Sequence, residues 1–367
     1  MIKTIAILGA GHGGCAAAAD LTLRGFSVRL HARNADRLAP LHAVGGVEVR
    51  GVHQGLVRLQ SMTTRIEEAV EGADLVILVV PSVAHEAYAA ALAPLISPEL
   101  PIFLNPCHTG GGLHFVQELR NAGYIEPVQT CETVTLTYIC RMESPTVVHI
   151  YSYIKQLAFA AFPGKNAQRL YQLLKPIYAE ITPASNVLET ALTNLNAIFH
   201  PPGMIMNAGW IERTAGDFLF YRDGITDSIG RVTEAVDAEK ITVAQALGIP
   251  AQTFLDAFYR AGLTTKEAHD SGSIARACQE SEPNKFIKSP PSLNHRYIKE
   301  DVGYGLVPIS AFGMLAGVKT PTIDALIELC GAATGINFRA TGLTLEKMGL
   351  AHCSRDRLAA FLNDGSL

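Results

Sequence analysis

The N-terminal half alternates short apolar runs with alanine-rich or amphipathic stretches. Thr4–Leu8 is a brief apolar run of the kind buried on both faces of a parallel sheet. Residues 13–24, with Ala16, Ala17, Ala18, Leu21 and Leu23, read as a helix closed by Gly25. Ser27–His31 is a second strand. A short helix is expected over Ile66–Val70, a strand over 75–80 stopped by Pro81, and a helix over about 85–95. A strand at 102–105 and a helix near 113–121 follow. Strands alternating with helices predict a doubly wound parallel sheet. The apolar runs between 128 and 159 are strand-like, including the β-branched and aromatic stretch 149–153, and are expected to complete that sheet.

Beyond Pro183 the alternation fades and helical segments take over, at 187–199, 228–247, 252–259, 309–317 and 322–331. Pairs such as Pro201-Pro202 and Pro290-Pro291 punctuate them. The expected architecture is an N-terminal Rossmann α/β domain over residues 1–183 and an all-α domain over 184–367.

The turn after the first strand reads Gly9-Ala10-Gly11-His12-Gly13-Gly14, a G-x-G-x-x-G pattern opening an alanine-rich helix. Gly9 serves the tight turn, Gly11 the approach of a pyrophosphate, and Gly14 the close packing of helix on strand. The helix N-terminus offers N–H groups and a positive dipole end to the phosphates, and His12 and Gly13 belong to the same cradle. At the end of the second strand, Leu30-His31-Ala32-Arg33-Asn34 lacks the carboxylate that takes the ribose 2′-hydroxyl in NAD enzymes. Arg33 is placed to meet a 2′-phosphate and Asn34 to add a hydrogen bond, so NADP(H) is expected ahead of NAD(H). The plainer alternative for Arg33 is a solvated loop charge.

Composition narrows the partners. With 48% hydrophobic residues, 17% charged and a net charge of -4, the chain is not disordered and has no basic surface for nucleic acid or an anionic membrane. Seven dispersed cysteines without C-x-x-C spacing suggest neither a disulfide framework nor a zinc site. No metal is expected at the histidines. No signal peptide or membrane span is legible, which points to the cytoplasm.

Four segments carry a resemblance. Ala197-Ile198-Phe199-His200-Pro201-Pro202-Gly203-Met204 and Leu293-Asn294-His295-Arg296-Tyr297-Ile298-Lys299-Glu300-Asp301 resemble the octopine/nopaline (opine) dehydrogenase family. Asn105-Pro106-x-x-Thr109-Gly110-Gly111 and Glu132-Thr133-x-Thr135-Leu136 resemble that family's cofactor-domain signatures. The resemblance implies reductive condensation of an amino acid, or an amine, with a 2-oxo acid, by hydride transfer to the imine in the cleft between domains. It implies His200 as acid/base with Asp301 as its partner, and a homodimer. A carboxylate on one imidazole nitrogen would set the tautomer and stabilise the imidazolium.

Pro81, Asn105 and Glu132 are assigned to the cofactor, and Arg296, Tyr297 and Arg339 to the substrate, the arginines because guanidinium forks suit carboxylates. A structural role is open for Glu132, and a solvated side chain for Arg339. Because a residue before proline avoids the helical region, the helix beginning near Val187 is expected to end or kink at His200. Two other functions fit the outline: a ketopantoate-reductase-like 2-hydroxyacid dehydrogenase, which relies on a helical-domain lysine, and a nonenzymatic NADP(H) sensor.

Overall fold

A computed structural model describes residues 2–366. Twelve strands are described: β1 (Thr4–Leu8), β2 (Ser27–His31), β3 (Val47–Gly51), β4 (Gly55–Val57), β5 (Ser61–Thr63), β6 (Leu75–Leu78), β7 (Pro101–Leu104), β8 (Gln129–Thr133), β9 (Tyr138–Met142), β10 (Val147–Tyr153), β11 (Leu157–Phe162) and β12 (Ile181–Pro183). Eight form one sheet in the order β12-β11-β8-β7-β6-β1-β2-β5. It is parallel from β5 through β8. There β11 runs antiparallel to β8, and β12 parallel to β11. The central strands β1, β6 and β7 are buried along nearly their whole length, as helix-covered parallel strands must be. The doubly wound core and the helical C-terminal half therefore match the expected fold class.

One expectation is corrected. The strands between 128 and 159 do not all complete the main sheet: β9 and β10 join β3 and β4 in a separate four-stranded sheet, ordered β4-β3-β10-β9. The reason is long-range pairing. β10 lies parallel to β3, about a hundred residues earlier, with Val148 opposite Val49, and antiparallel to β9.

The small sheet covers helix His12–Leu23 through one buried carboxylate. Asp20, on that helix, accepts hydrogen bonds from the hydroxyls of Tyr138 and Tyr153, each at 2.9 Å, and lies 3.0 Å from His53 Nε2. A carboxylate out of water is costly unless its lone pairs are filled, and here two phenols and an imidazole fill them.

The chain divides into two compact units. One holds the residues up to Cys107, Gly112–Val187 and Ala360–Ser366; the other holds His108–Gly111 and Leu188–Ala359. The boundary at 183/184 thus misplaces the chain's end. The Phe361 ring sits 5.3 Å from that of Phe162, and Arg120 donates to the Gly365 carbonyl, so apolar packing and a hydrogen bond return residues 360–366 to the first unit.

Among the described residues the second unit is helical apart from one isolated bridge, Leu219 to Lys288. Its longest helix is Asp227–Ala246. The segment expected as one helix over 187–199 is two, Val187–Leu192 and Asn196–Ile205. The second runs through His200-Pro201-Pro202 rather than ending there. Pro201 and Pro202 remove the N–H groups that would reach Ala197 and Ile198, yet residues 197–204 are all buried. Packing overrides the local preference: a Cβ on Gly305 would stand 2.6 Å from that of Ala197, which brings a neighbouring backbone hard against this helix.

Asp20→Ala should cost about 3 kcal/mol of stability, because the buried Tyr138 hydroxyl and the half-buried Tyr153 and His53 lose their shared acceptor. Urea unfolding measures it; a loss below about 0.5 kcal/mol would show that the cluster does not anchor the small sheet.

Candidate active site

In the first unit the glycine turn has the shape a dinucleotide requires. Gly9 has a φ of 117°, and a Cβ there would lie 2.3 Å from the Val79 carbonyl oxygen. A Cβ on Gly14 would lie 1.6 Å from the Gly9 carbonyl oxygen, so the helix approaches the turn as closely as backbone allows. The Cβ direction of Gly11 meets nothing within 4 Å, which is the face a pyrophosphate would occupy. Gly11 caps the helix without any side-chain hydrogen bond, and the positive end of the helix dipole lies at this turn. His12, exposed, accepts the Met142 N–H at Nδ1 over 2.8 Å; its neutral ring must then carry the proton on Nε2. Pro81 follows the strand segment that backs the turn.

At the end of β2, a cavity of about 380 Å³ is lined by His31, Arg33, Arg65, Glu67 and Tyr88 among others. The Arg33 guanidinium stands 5.4 Å from the centre of the Tyr88 ring. Burial holds His31 below its ordinary pKa. Asn34 is engaged as a helix cap, its Oδ1 accepting the Asp36 N–H at 2.9 Å, and only its amide N–H groups are left for a phosphate.

Two residues assigned to the cofactor have internal structural partners. Asn105 is buried and donates to Thr133 and Thr137 hydroxyls at 3.0 and 2.7 Å, while its Oδ1 accepts the Thr137 N–H. Glu132 places its carboxylate against the first turn of helix Gly111–Asn121, where a Cβ on Gly112 would lie 2.1 Å from Oε2. Both hold the ends of β7 and β8 rather than offering an open edge.

In the second unit, two residues 101 apart in sequence meet. His200 Nδ1 lies 2.8 Å from Asp301 Oδ2, and both side chains are almost fully buried. His200 sits on helix Asn196–Ile205. Asp301 closes helix Arg296–Asp301, which His295 caps and which continues as a π-turn, Val302–Leu306, into helix Val307–Ala316. Such π-segments are frequent at functional sites. Tyr297 stacks on the imidazole, ring centres 3.5 Å apart and planes within 11°, and Phe220 flanks it at 5.9 Å. His200 Nε2 is buried and has no hydrogen-bond partner among the described residues. Burial pulls the His200 pKa below its ordinary value; the hydrogen bond and charge of Asp301 offset this only in part.

Arg296 lies beside the dyad on the helix that carries Asp301, its Nε 3.1 Å from Glu300. Arg339 does not join them. Its guanidinium is held by Glu328 at 2.6 Å and Asp324 at 2.9 Å, on a separate cavity of about 510 Å³ that neither His200 nor Asp301 lines. Two of its five N–H donors are taken by these carboxylates, and both neutralise its charge locally.

Three residues near the dyad escaped the sequence reading. Glu300 contacts both Arg296 and His108. Asn194 donates to Thr109 at 3.1 Å and caps the Asn196 N–H, tying segment His108–Gly111 to the start of the His200 helix. The i,i+4 spacing of Arg296 and Glu300 was the available signal for the first; nothing local marks His108 or Asn194.

Comparison with known proteins agrees with this geometry. Residues 183–334 match the family model described as NAD/NADP octopine/nopaline dehydrogenase, alpha-helical domain, and residues 5–105 match that of ketopantoate reductase PanE/ApbA. An opine dehydrogenase of Arthrobacter sp. (strain 1C) is 36% identical over 350 residues, covering 95% of this chain and 96% of its own. The fold is similar to that of octopine dehydrogenase solved with NADH and L-arginine, at a TM-score of 0.78, 21% identity and 98% coverage of both chains. It is also similar to NADP+-bound yersinopine dehydrogenase, at a TM-score of 0.72 and 16% identity over 99% of this chain and 98% of that one.

Proposed function

The chain belongs to the octopine/nopaline dehydrogenase family and is an NAD(P)-dependent oxidoreductase, and from that premise we propose that it reductively condenses an amino acid or amine with a 2-oxo acid, preferring NADP(H). One observation carries the proposal: a buried imidazole with one nitrogen committed to a carboxylate and the other left open. The ketopantoate-reductase alternative is the weaker one, because that family model matches residues 5–105 alone and the fold likeness to such a reductase, over 90% of this chain, has a TM-score of 0.60 against 0.78 for octopine dehydrogenase. A sensor would not need the dyad.

The amine adds to the oxo carbon, the resulting carbinolamine loses water, and the imine is reduced. His200 Nε2 donates the proton that lets the hydroxyl leave as water; in the reverse direction it removes that proton from the attacking water. Asp301 fixes the tautomer and balances the charge that His200 gains. Arg296 takes the carboxylate of the oxo acid on its terminal Nη groups. The nicotinamide, when bound, supplies hydride to the imine carbon. The absence of a carboxylate at Ala32 and the pair Arg33 and Arg65 at the cavity after β2 support a 2′-phosphate, although Glu67 also lines that cavity.

Turnover of NADPH and NADH with 2-oxo acids crossed against amino acids and amines tests the reaction; both partners should be required. His200→Ala should lower kcat by at least about a hundredfold and leave NADPH affinity within about twofold. Near-normal turnover in that variant would remove His200 from the chemistry.

The pH profile has a definite sign. Burial lowers the His200 pKa below 6.5, so the imidazole is neutral at pH 7. Dehydrogenation, which needs the base, should proceed fully above that pKa and fall as pH drops through it; reduction should show the opposite limb. Asp301→Asn removes the group that props the pKa up and should move the dehydrogenation limb further toward acid. A limb above pH 7 that ignores Asp301 would assign the proton to another group.

Arg33→Ala should weaken NADPH about tenfold or more, ~1.4 kcal/mol, and leave NADH within about twofold. Equal losses for both cofactors, read by fluorescence titration, would leave Arg33 without a phosphate contact.

A further inference from the structure

Glu300 and Asp301 are consecutive, both buried, and serve different partners. Asp301 holds His200. Glu300 stands between two cations: Oε2 is 3.1 Å from Arg296 Nε, one helical turn earlier, and Oε1 is 3.1 Å from His108 Nε2. Both contacts have the distance of an ion pair without the alignment of a hydrogen bond. His108 itself is only 4% exposed, whereas the Arg296 side chain is 52% exposed. The arginine is therefore anchored at its inner nitrogen and open at its outer end. A guanidinium gripped through Nε turns its Nη1/Nη2 edge, the one suited to a carboxylate, away from the group that grips it.

We infer that Glu300 is a positioning residue: locked by His108 from behind, it aims the outer fork of Arg296 at the carboxylate of the 2-oxo acid. The inference rests on the oxo-acid reaction proposed above. Burial opposes a charge on His108, but the carboxylates of Glu300 and Asp301 outweigh burial and raise its pKa, which favours the imidazolium beside Glu300. Without the Glu300 charge, burial would return His108 toward its neutral form, Arg296 would lose the carboxylate at its Nε, and the arginine would lose its orientation. A purely structural Glu300 would instead fix segment His108–Gly111 and leave Arg296 as effective as before.

The test uses the NADPH-loaded enzyme and oxamate, a non-reducible mimic of pyruvate, titrated by calorimetry against wild type, Glu300→Gln, Arg296→Ala and the double variant. Each single variant should weaken oxamate about tenfold, and the double variant should bind no more weakly than Arg296→Ala, with NADPH affinity unchanged throughout. Multiplying losses in the double variant, or oxamate affinity within twofold of wild type in Glu300→Gln, overturns the positioning role. If Glu300→Gln does not fold, Glu300→Asp keeps the charge but withdraws it by one methylene. It should weaken oxamate in the wild-type background and have no effect alongside Arg296→Ala; any other pattern overturns the role. A wild type that binds NADPH but no oxamate would overturn the oxo-acid proposal itself, which separates that failure from a failure of Glu300.

Discussion

An imidazole that must gain and lose a proton inside a protein needs a carboxylate fixed beside it, because burial alone would keep it neutral. The 2.8 Å contact between His200 and Asp301 meets that need, and much of the second unit is arranged around it. The helix carrying His200 is carried through two prolines. The helix carrying Asp301 passes into a π-turn and then a further helix without a break. Gly305, within that π-turn, lets its backbone close on Ala197, one turn before His200. The small residues and the irregular turn are thus the means by which two distant segments come within one hydrogen bond.

The first unit meets a different constraint. It must present backbone, not side chains, to a polyanion. Gly9 and Gly14 bring turn and helix together, Gly11 leaves the outward face clear, and His12 is tethered to the small sheet through Met142. Of the residues that looked chemical in sequence, Asn105 is hydrogen-bonded to Thr133 and Thr137, and Glu132 lies against the start of helix Gly111–Asn121. Polar residues at the ends of parallel strands have both uses, and only their partners tell which applies.

What was legible in the sequence was local. Buried runs marked β1 and β2, the glycine pattern marked the cradle, and the resemblance singled out His200, Asp301 and Arg296. What was not legible depends on residues far apart. β3 and β4 are short, and their sheet exists only because β10 returns to pair with β3. The helix through His200 defied a sound local rule because buried packing outweighs one pre-proline preference. Arg339 has the same chemistry as Arg296 on paper. It differs by standing beside Asp324 and Glu328, carboxylates whose approach no periodicity announces.

The two buried histidines of the second unit show how charge is divided there. Both lie within about 3 Å of a carboxylate from the same dipeptide, yet the pKa of His108 is raised and that of His200 lowered. Burial acts on both. The difference is that both Glu300 and Asp301 raise His108, whereas Asp301 alone raises His200, which also faces the charge of His108. With His108 protonated, two cations and two carboxylates would balance while His200 is neutral, and protonation of His200 would add an excess positive charge. On the function proposed here, a carboxylate brought to Arg296 supplies the missing negative charge. The acid is then stabilised when the oxo acid has arrived and disfavoured when the site holds no anion, so the arrangement that grips the substrate also sets the moment at which His200 can hold a proton.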